Sequence, residues 1–271
     1  MTGIEAGIHP MPAPPAISLV LPVFNGETFI GASLDRIAGF IDAAGLDAEV
    51  VVVDDGSTDR TSEILDRRTD CRITTIRFDR NRGKYAALRA GMAAAQGRCR
   101  IFTDADLPYD LEAIPYLADL VGRLGFHIAV GDRTLTESNL QNRRPKVRRV
   151  SSRVFSFFVR ILVTGELFDT QVGLKAFRGD VADALFPLIV DDGFAGDVEL
   201  LYVALKYNLA IRRVPVRLLA TGPSTVSLLG HAPAMLARIA GLRRGWSSGR
   251  YESATLHAIS TQRYWTETDG G

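Results

Sequence analysis

In the first part of the chain, apolar positions alternate between two patterns. Residues 17–23 (ISLVLPV), 49–53 (EVVVV), 72–78 and 100–103 are short, nearly unbroken apolar runs. Runs this short and rich in β-branched residues read as strands buried on both faces, as in a parallel sheet. Between them, residues 28–44, 58–68 and the Ala-rich 84–96 carry apolar side chains at helical spacing, which predicts amphipathic helices. Ser57 or Thr58 is the expected N-cap of the second helix, and Gly97 closes the third. Strands alternating with helices of this length predict βαβ units and a mostly parallel sheet. The second half is less regular. Its spacing predicts helices over 111–124, 146–163, 198–207 and 231–242, and strands over 127–131, 174–178 and 211–216.

The expected fold class is therefore α/β, a mostly parallel sheet flanked by helices, with peripheral amphipathic helices in the C-terminal half. Residues 1–16 are rich in Pro and Gly and lack an apolar h-region, so they read as a disordered leader rather than a signal peptide. The main domain is expected over 17–220, a helical extension over 221–250, and a polar tail that frays over 251–271. The longest apolar stretch, 154–163, is interrupted by Arg160 and falls short of the roughly 18–20 residues that span a bilayer. Any membrane contact is expected to be peripheral.

A formal net charge of +1 gives no global field that would draw the chain to nucleic acid or membrane. Cys71 and Cys99 have neither metal-ligand nor CxxC spacing, and the histidines are far apart, so neither a disulfide framework nor a zinc site is expected. In parallel α/β sheets, ligands bind beyond the carboxyl ends of the strands. Two acidic clusters fall there: Asp54 and Asp55 after the second strand, Asp104 and Asp106 after the fourth. Asp-x-Asp at a strand end suits a hard cation, because two carboxylates can share Mg²⁺ or Mn²⁺ while a diphosphate fills the remaining positions. Such an ion offsets charge on a departing nucleoside diphosphate. Asp and Gly in these places also make ordinary turns, so each cluster alone leaves both readings open. Two other nucleotide sites are disfavoured. No G-x-G-x-x-G follows the first strand, and Phe78 stands where a P-loop ending in Gly83-Lys84 needs its first Gly.

Four motifs then occur in order: PVFNGE at 22–27, DDGSTDRT at 54–61, NRGK at 81–84 before the Ala-rich helix, and TDADL at 103–107. Together, over residues 17 to about 110, they resemble family 2 glycosyltransferases of the GT-A fold. Further on, GDR at 131–133, DTQVGLKAFR at 169–178, FAGDVELLYVA at 194–204 and VPV at 214–216 resemble the polyprenyl-phosphate hexose synthases. These are the dolichyl-phosphate glucose and mannose synthases and their bacterial relatives; the DTQ and DVELL wording is nearer the glucose type. The resemblance implies a GT-A, Rossmann-like fold. It also implies metal-dependent, inverting transfer of a hexose from a nucleotide sugar, with UDP-glucose favoured and GDP-mannose the alternative, to a polyprenyl phosphate. It implies that Pro22, Asn25, Glu27 and Asp55 line the nucleoside pocket, with Asp54, Gly83 and Lys84 also on the donor. Asp104 would lie near ribose and metal, Asp106 would be the principal ligand of Mg²⁺ or Mn²⁺, and Arg133 would meet phosphate; Asp104, Asp106 and Arg133 form the implied catalytic set. Two positions depart from the pattern. Pro108 stands where mannose synthases often place a Gln near the metal, and TGPSTVS at 221–227 lacks the Ser-Lys pair often found there.

The near-neutral total hides an uneven distribution. Residues 138–165 carry Arg143, Arg144, Lys146, Arg148, Arg149, Arg153 and Arg160 with no acidic residue, and residues 200–251 are likewise basic without an acidic partner. Within 146–163, Val147, Val150, Val154, Phe157, Phe158 and Ile161 form one stripe, with Arg144, Arg148 and Arg149 near its edge. A basic amphipathic helix of this kind suits an anionic membrane surface and an acceptor phosphate, or else a solvated face on its own core. No nucleic-acid recognition motif accompanies the charge. The expected setting is the cytoplasmic, inner face of the cell membrane, with a separate membrane-anchor subunit as a candidate partner. A phosphate monoester, with a second pKa of about 6, is already anionic at pH 7 and needs no deprotonation. A hydroxyl on a small molecule or polysaccharide would need a base, for which Asp197 or Glu199 is the candidate; the alternative role of both is charge at a helix start. A non-catalytic sugar-nucleotide sensor or assembly subunit is the remaining reading.

Overall fold

The computed structural model describes residues 14–133, 135, 172–193, 195–219 and 241–262. Its strands are β1 (Ile17–Val23), β2 (Ala48–Asp54), β3 (Ile73–Arg77), β4 (Cys99–Thr103), β5 (Ile128–Asp132), β6 (Leu174–Arg178) and β7 (Ile211–Pro215). They form one sheet in the order β3-β2-β1-β4-β6-β5-β7. The helices are α1 (Ile30–Ala44), α2 (Thr61–Asp66), α3 (Lys84–Ala94), α4 (Ala113–Gly122), α5 (Gly179–Leu185), α6 (Gly196–Lys206) and α7 (Ala254–Thr261). Residues 241–247 are also helical.

Pairing is parallel throughout except at β6, which runs antiparallel to both β4 and β5. The sheet is thus mixed, and the one reversed strand has a local consequence. Thr103, the last residue of β4, pairs with Leu174, the first of β6. The chain therefore enters β6 at the edge where β4 ends.

The apolar runs are continuous because both faces of the inner strands are covered. Odd and even positions of one strand serve different cores. Val20, Val51, Val53, Phe102 and Phe177 pack with α3, α5 and α6. Leu19, Leu21, Val50, Val52 and Ile101 pack with α1 and α4. In α1, Ile30, Leu34, Ile37 and Ile41 make the buried stripe, and Gly45 ends the helix in the left-handed conformation at φ 60°.

Two expectations are corrected. The second helix begins at Thr61 rather than Thr58, and neither Ser57 nor Thr58 caps it. Asp59 instead accepts from the Thr61 N–H at 3.0 Å and hydroxyl at 2.5 Å, while Ser57 and Thr58 bond to the β1–α1 loop. The chain from Tyr251 to residue 262 does not fray. Ser253 caps α7 by accepting from the Leu256 N–H, and Tyr251, Leu256 and Ile259 are buried. Tyr207 meets Trp246 edge to face, and Trp246 stacks on Tyr251. The short polar spacing around these side chains hides them from a periodicity reading. The leader residues 1–13, the stretch 146–163 and most of 231–242 lie outside the described residues.

Candidate active site

The carboxyl edge of the sheet is built first from two interlocked loops. After β1, Asn25 takes a left-handed conformation at φ 52°. Its N–H donates to Ser57 Oγ at 2.9 Å and its Oδ1 accepts from the Thr58 N–H at 2.9 Å. The Gly26 N–H donates to Thr61 Oγ1 at 2.7 Å, and Glu27 accepts from the Arg60 N–H at 3.1 Å. Asn25 and Glu27 thus hold the β1–α1 loop against the β2–α2 loop. Pro22 is half-buried within β1, paired with Val53.

Asp54 and Asp55 divide their work. Asp54 is fully buried and accepts from the Ser57 N–H at 2.9 Å and the Ser62 hydroxyl at 2.5 Å. Its carboxylate builds the turn after β2. Asp55 accepts from the Arg82 N–H at 2.7 Å and the Gly83 N–H at 2.9 Å. Burial pushes its carboxyl above the usual range, against the pull of those two N–H groups. Gly83 has φ 99°, and a Cβ there would press on the Asp192 carbonyl. That glycine lets the 81–83 loop turn into α3 directly behind the Asp55 carboxylate.

Asp104 and Asp106 follow β4. The Leu107 N–H donates to the Asp104 carbonyl at 3.0 Å, with Leu107 left-handed at φ 48°. This turn leaves Asp106 exposed. Partial loss of hydration beside the neighbouring chain, then the Asp104 charge, raises the Asp106 pKa. Asp104 Oδ1 accepts from Lys84 Nζ at 2.5 Å, and the Asp104 N–H donates to the Gly173 carbonyl at 3.1 Å. Burial alone would lower the Lys84 ammonium; the charges of Asp104 and Asp197 outweigh it and hold it above the usual lysine range. Among the described residues no group of three or more His, Cys, Asp or Glu could hold a metal. Two carboxylates fit an ion that completes its shell with ligand oxygens and water, the habit of Mg²⁺ and Mn²⁺.

Behind the rim lies a second pair of opposite charges. Lys175 and Asp197 are both buried, with Nζ to Oδ1 at 2.5 Å. Tyr85 donates its hydroxyl to the same Asp197 oxygen at 2.7 Å, and Lys175 also donates to the Val172 carbonyl at 2.7 Å. Burial pulls the Lys175 ammonium below the usual lysine range despite Asp197. Glu199 accepts from the Val190 and Asp191 N–H groups at 3.0 and 2.8 Å and from the Tyr251 hydroxyl at 2.6 Å. Both candidate bases therefore have structural partners, Glu199 at both carboxylate oxygens and Asp197 at Oδ1. Tyr85, Gly173 and Lys175 were not legible as site residues; Gly173 and Lys175 stood inside a recognised motif without a reason to single them out.

Arg133 directly follows β5 on the same edge, after Asp132, which accepts from Arg213 Nε at 2.7 Å. Arg144, Arg148 and Arg149 lie outside the described residues. A cleft of about 670 Å³ borders Gly83, lined among others by Asn81, Arg82, Asp191, Arg250 and Tyr251.

A sheet of this order, with carboxylates and a lysine gathered at its carboxyl edge, defines an α/β protein of the GT-A kind. The Glycosyl transferase family 2 model matches residues 18–186, and the chain belongs to that family. It is similar to dolichyl-phosphate beta-glucosyltransferases of Dictyostelium discoideum (27% identical over 213 residues, 74% of this chain and 65% of that protein) and Drosophila melanogaster (34% over 217 residues, 74% and 66%). It is also similar to glycosyltransferase AglD of Haloferax volcanii, 30% identical over 236 residues, 85% of this chain and 37% of that protein. The matched region spans about two thirds of these relatives' length or less. Among solved structures, glucosyl-3-phosphoglycerate synthase from Mycobacterium tuberculosis in complex with UDP shares the fold at TM-score 0.60 and 22% identity, covering 84% of this chain and 80% of that one. Mannosyl-3-phosphoglycerate synthase from Rubrobacter xylanophilus does so at 0.64 and 16%, covering 89% and 77%.

Proposed function

We propose that this chain is a glycosyltransferase that moves a hexose from a nucleotide sugar, UDP-glucose in the first instance, to a polyprenyl phosphate. The family and the similarity to dolichyl-phosphate glucosyltransferases support the class of reaction. The observation that carries the choice of acceptor is the state of Asp197 and Glu199. Both are buried; Glu199 is hydrogen-bonded at both carboxylate oxygens and Asp197 is held at Oδ1 by Lys175 and Tyr85, an arrangement that favours an acceptor that needs no base, as a phosphate does.

In this reading the knitted loops after β1 and β2 present the nucleoside end of the donor to Pro22, Asn25, Glu27 and Asp55. Asp104 and Asp106 would hold Mg²⁺ or Mn²⁺, which when bound supplies positive charge against the leaving diphosphate. Lys84 and the backbone at Gly83 add charge and direction at the same edge, and Arg133 meets a phosphate. An acceptor phosphate oxygen forms the new bond to the anomeric carbon as the bond to the diphosphate breaks, its electron pair leaving with the diphosphate. A single displacement of this kind inverts the anomeric centre.

No helix among the described residues is long and apolar enough to cross a membrane. Residues 146–163, with Arg144, Arg148 and Arg149, are proposed to lie on the anionic inner face of the cell membrane and to guide acceptor phosphate, with or without a separate anchor subunit. The test is release of UDP or GDP from UDP-glucose and GDP-mannose, with Mn²⁺ or Mg²⁺, with and without polyprenyl phosphate. Release of UDP that needs both metal and polyprenyl phosphate is expected. Transfer to a sugar hydroxyl at equal rate without the lipid phosphate would overturn the acceptor assignment.

A further inference from the structure

Asp197 sits where two arms of the rim converge. Its Oδ1 accepts from Lys175 Nζ at 2.5 Å and from the Tyr85 hydroxyl at 2.7 Å. The first arm runs through Lys175, whose ammonium also holds the Val172 carbonyl at 2.7 Å. The next residue, Gly173, accepts from the Asp104 N–H at 3.1 Å and has no side chain between its backbone and the Asp104 carboxylate. The second arm runs through Tyr85, whose neighbour Lys84 donates to Asp104 Oδ1 at 2.5 Å. Asp104 is thus gripped from two sides by segments that share one anchor.

The anchor is rigid. Tyr85 is fully buried, and its ring lies so close to Gly196 that a Cβ there would collide with it. The start of α6 is therefore packed directly against the start of α3, and the Tyr85 hydroxyl ties the two through Asp197. Lys175 lies in the middle of the sheet, paired with Phe102 on one side and Val130 on the other. Its ammonium stands 5.1 Å from the Phe102 ring centre, and that of Lys84 stands 6.0 Å from the same ring. Two lysines thus face one aromatic ring, Lys84 paired with Asp104 and Lys175 with Asp197.

We propose that Asp197 is a positioning residue for the Asp-x-Asp rim: through Lys175 and Tyr85 it fixes the two segments that aim Asp104 at a bound cation. The proposal rests on the metal role of Asp104 and Asp106 given above. Groups that orient a metal-binding side chain from behind typically change metal affinity by about 10- to 100-fold when removed, although they touch neither metal nor substrate.

The experiment measures Mn²⁺ affinity by paramagnetic resonance of the free ion, in the presence of UDP and, in parallel, GDP. Asp197→Asn alone leaves Lys175 as an uncompensated buried charge, which threatens the fold. The informative variants are therefore Tyr85→Phe, which removes one hydroxyl and keeps the ring, and the neutral pair Lys175→Gln with Asp197→Asn. Both are expected to weaken Mn²⁺ binding, the pair by about tenfold or more and Tyr85→Phe by less, with the shape of the pH–rate profile kept. Wild-type Mn²⁺ affinity in folded Tyr85→Phe would overturn the inference, as would loss of one limb of the pH profile at unchanged Mn²⁺ affinity in the pair, the mark of a base. Absence of Mn²⁺ binding in the wild type would instead overturn the metal reading on which it rests.

Discussion

Replacing Gly173 by Ala tests the rim most directly. A Cβ at this position would stand 2.6 Å from Asp104 Oδ1, and closer still to Oδ2, where ordinary contact begins at 3.4 Å. The nearer oxygen sets the shift, so the carboxylate must retreat by about 1.5 Å. Its room to do so is small, because its backbone N–H is held by the Gly173 carbonyl and its Oδ1 by Lys84. Misplacing a reacting or coordinating group by about 1 Å costs on the order of 100-fold in rate. Gly173→Ala is therefore expected to lower kcat/KM by about 100-fold, equivalent to about 2.7 kcal/mol of lost transition-state stabilisation. Crowding of this kind destabilises a fold by about 1–3 kcal/mol, so the variant should still fold, with a lower Tm. Gly39→Ala is the control: a Cβ there meets nothing within 4 Å, in the middle of α1, and activity should be unchanged. The assay is nucleotide release together with Mn²⁺ titration. Turnover and Mn²⁺ affinity within threefold of wild type in a folded Gly173→Ala protein would refute the reasoning.

Asp106→Ala should abolish metal-dependent donor binding while leaving Tm nearly unchanged, since the side chain is exposed; full activity in EDTA would contradict this. Replacing Arg144, Arg148 and Arg149 by Gln should reduce sedimentation with anionic liposomes at low salt, each charge contributing on the order of 1 kcal/mol, and raise KM for polyprenyl phosphate but not for the nucleotide sugar. Stability should also respond to His127, whose Nδ1 accepts from the Ala210 N–H at 2.8 Å. Burial, with Arg178 adding to it, lowers its pKa. The unfolded chain then takes up a proton near pH 6.5 while the folded one resists, so stability falls as pH drops below that value, by at most about 1.4 kcal/mol per unit. Thermal unfolding at pH 7.5 and 5.5 should show a smaller acid loss in His127→Asn than in wild type.

How far the sequence leads depends on the range of the interaction. β1 and β6 have the predicted bounds, because an apolar run buried on both faces is a local signal. The reversal of β6 is not local: 174–178 reads the same in either direction, and the partner strands decide. Asp54 and Asp55 are adjacent and chemically alike, yet one is spent on Ser57 and Ser62 and the other on the loop before α3. Nothing in their spacing separates them. Asp197 and Glu199 are two apart on a helix and so face different ways, one toward Lys175 and the other toward Tyr251. Both partners are distant along the chain, and only the fold reveals that the carboxylates are already engaged.

The outer strands of the sheet bear on how copies of the chain meet. Among the described residues, β3 and β7 are the edges, each five residues long. β3 exposes Thr74, Thr75 and Arg77; β7 carries Arg212 and Arg213 and ends in Pro215. Short edges with charged side chains, one closed by a residue that lacks an N–H, are poor templates for a further strand. At these two edges copies of the chain gain little from joining sheet to sheet, so contact between the described parts of two copies is expected to use side-chain surfaces rather than continuation of the backbone ladder.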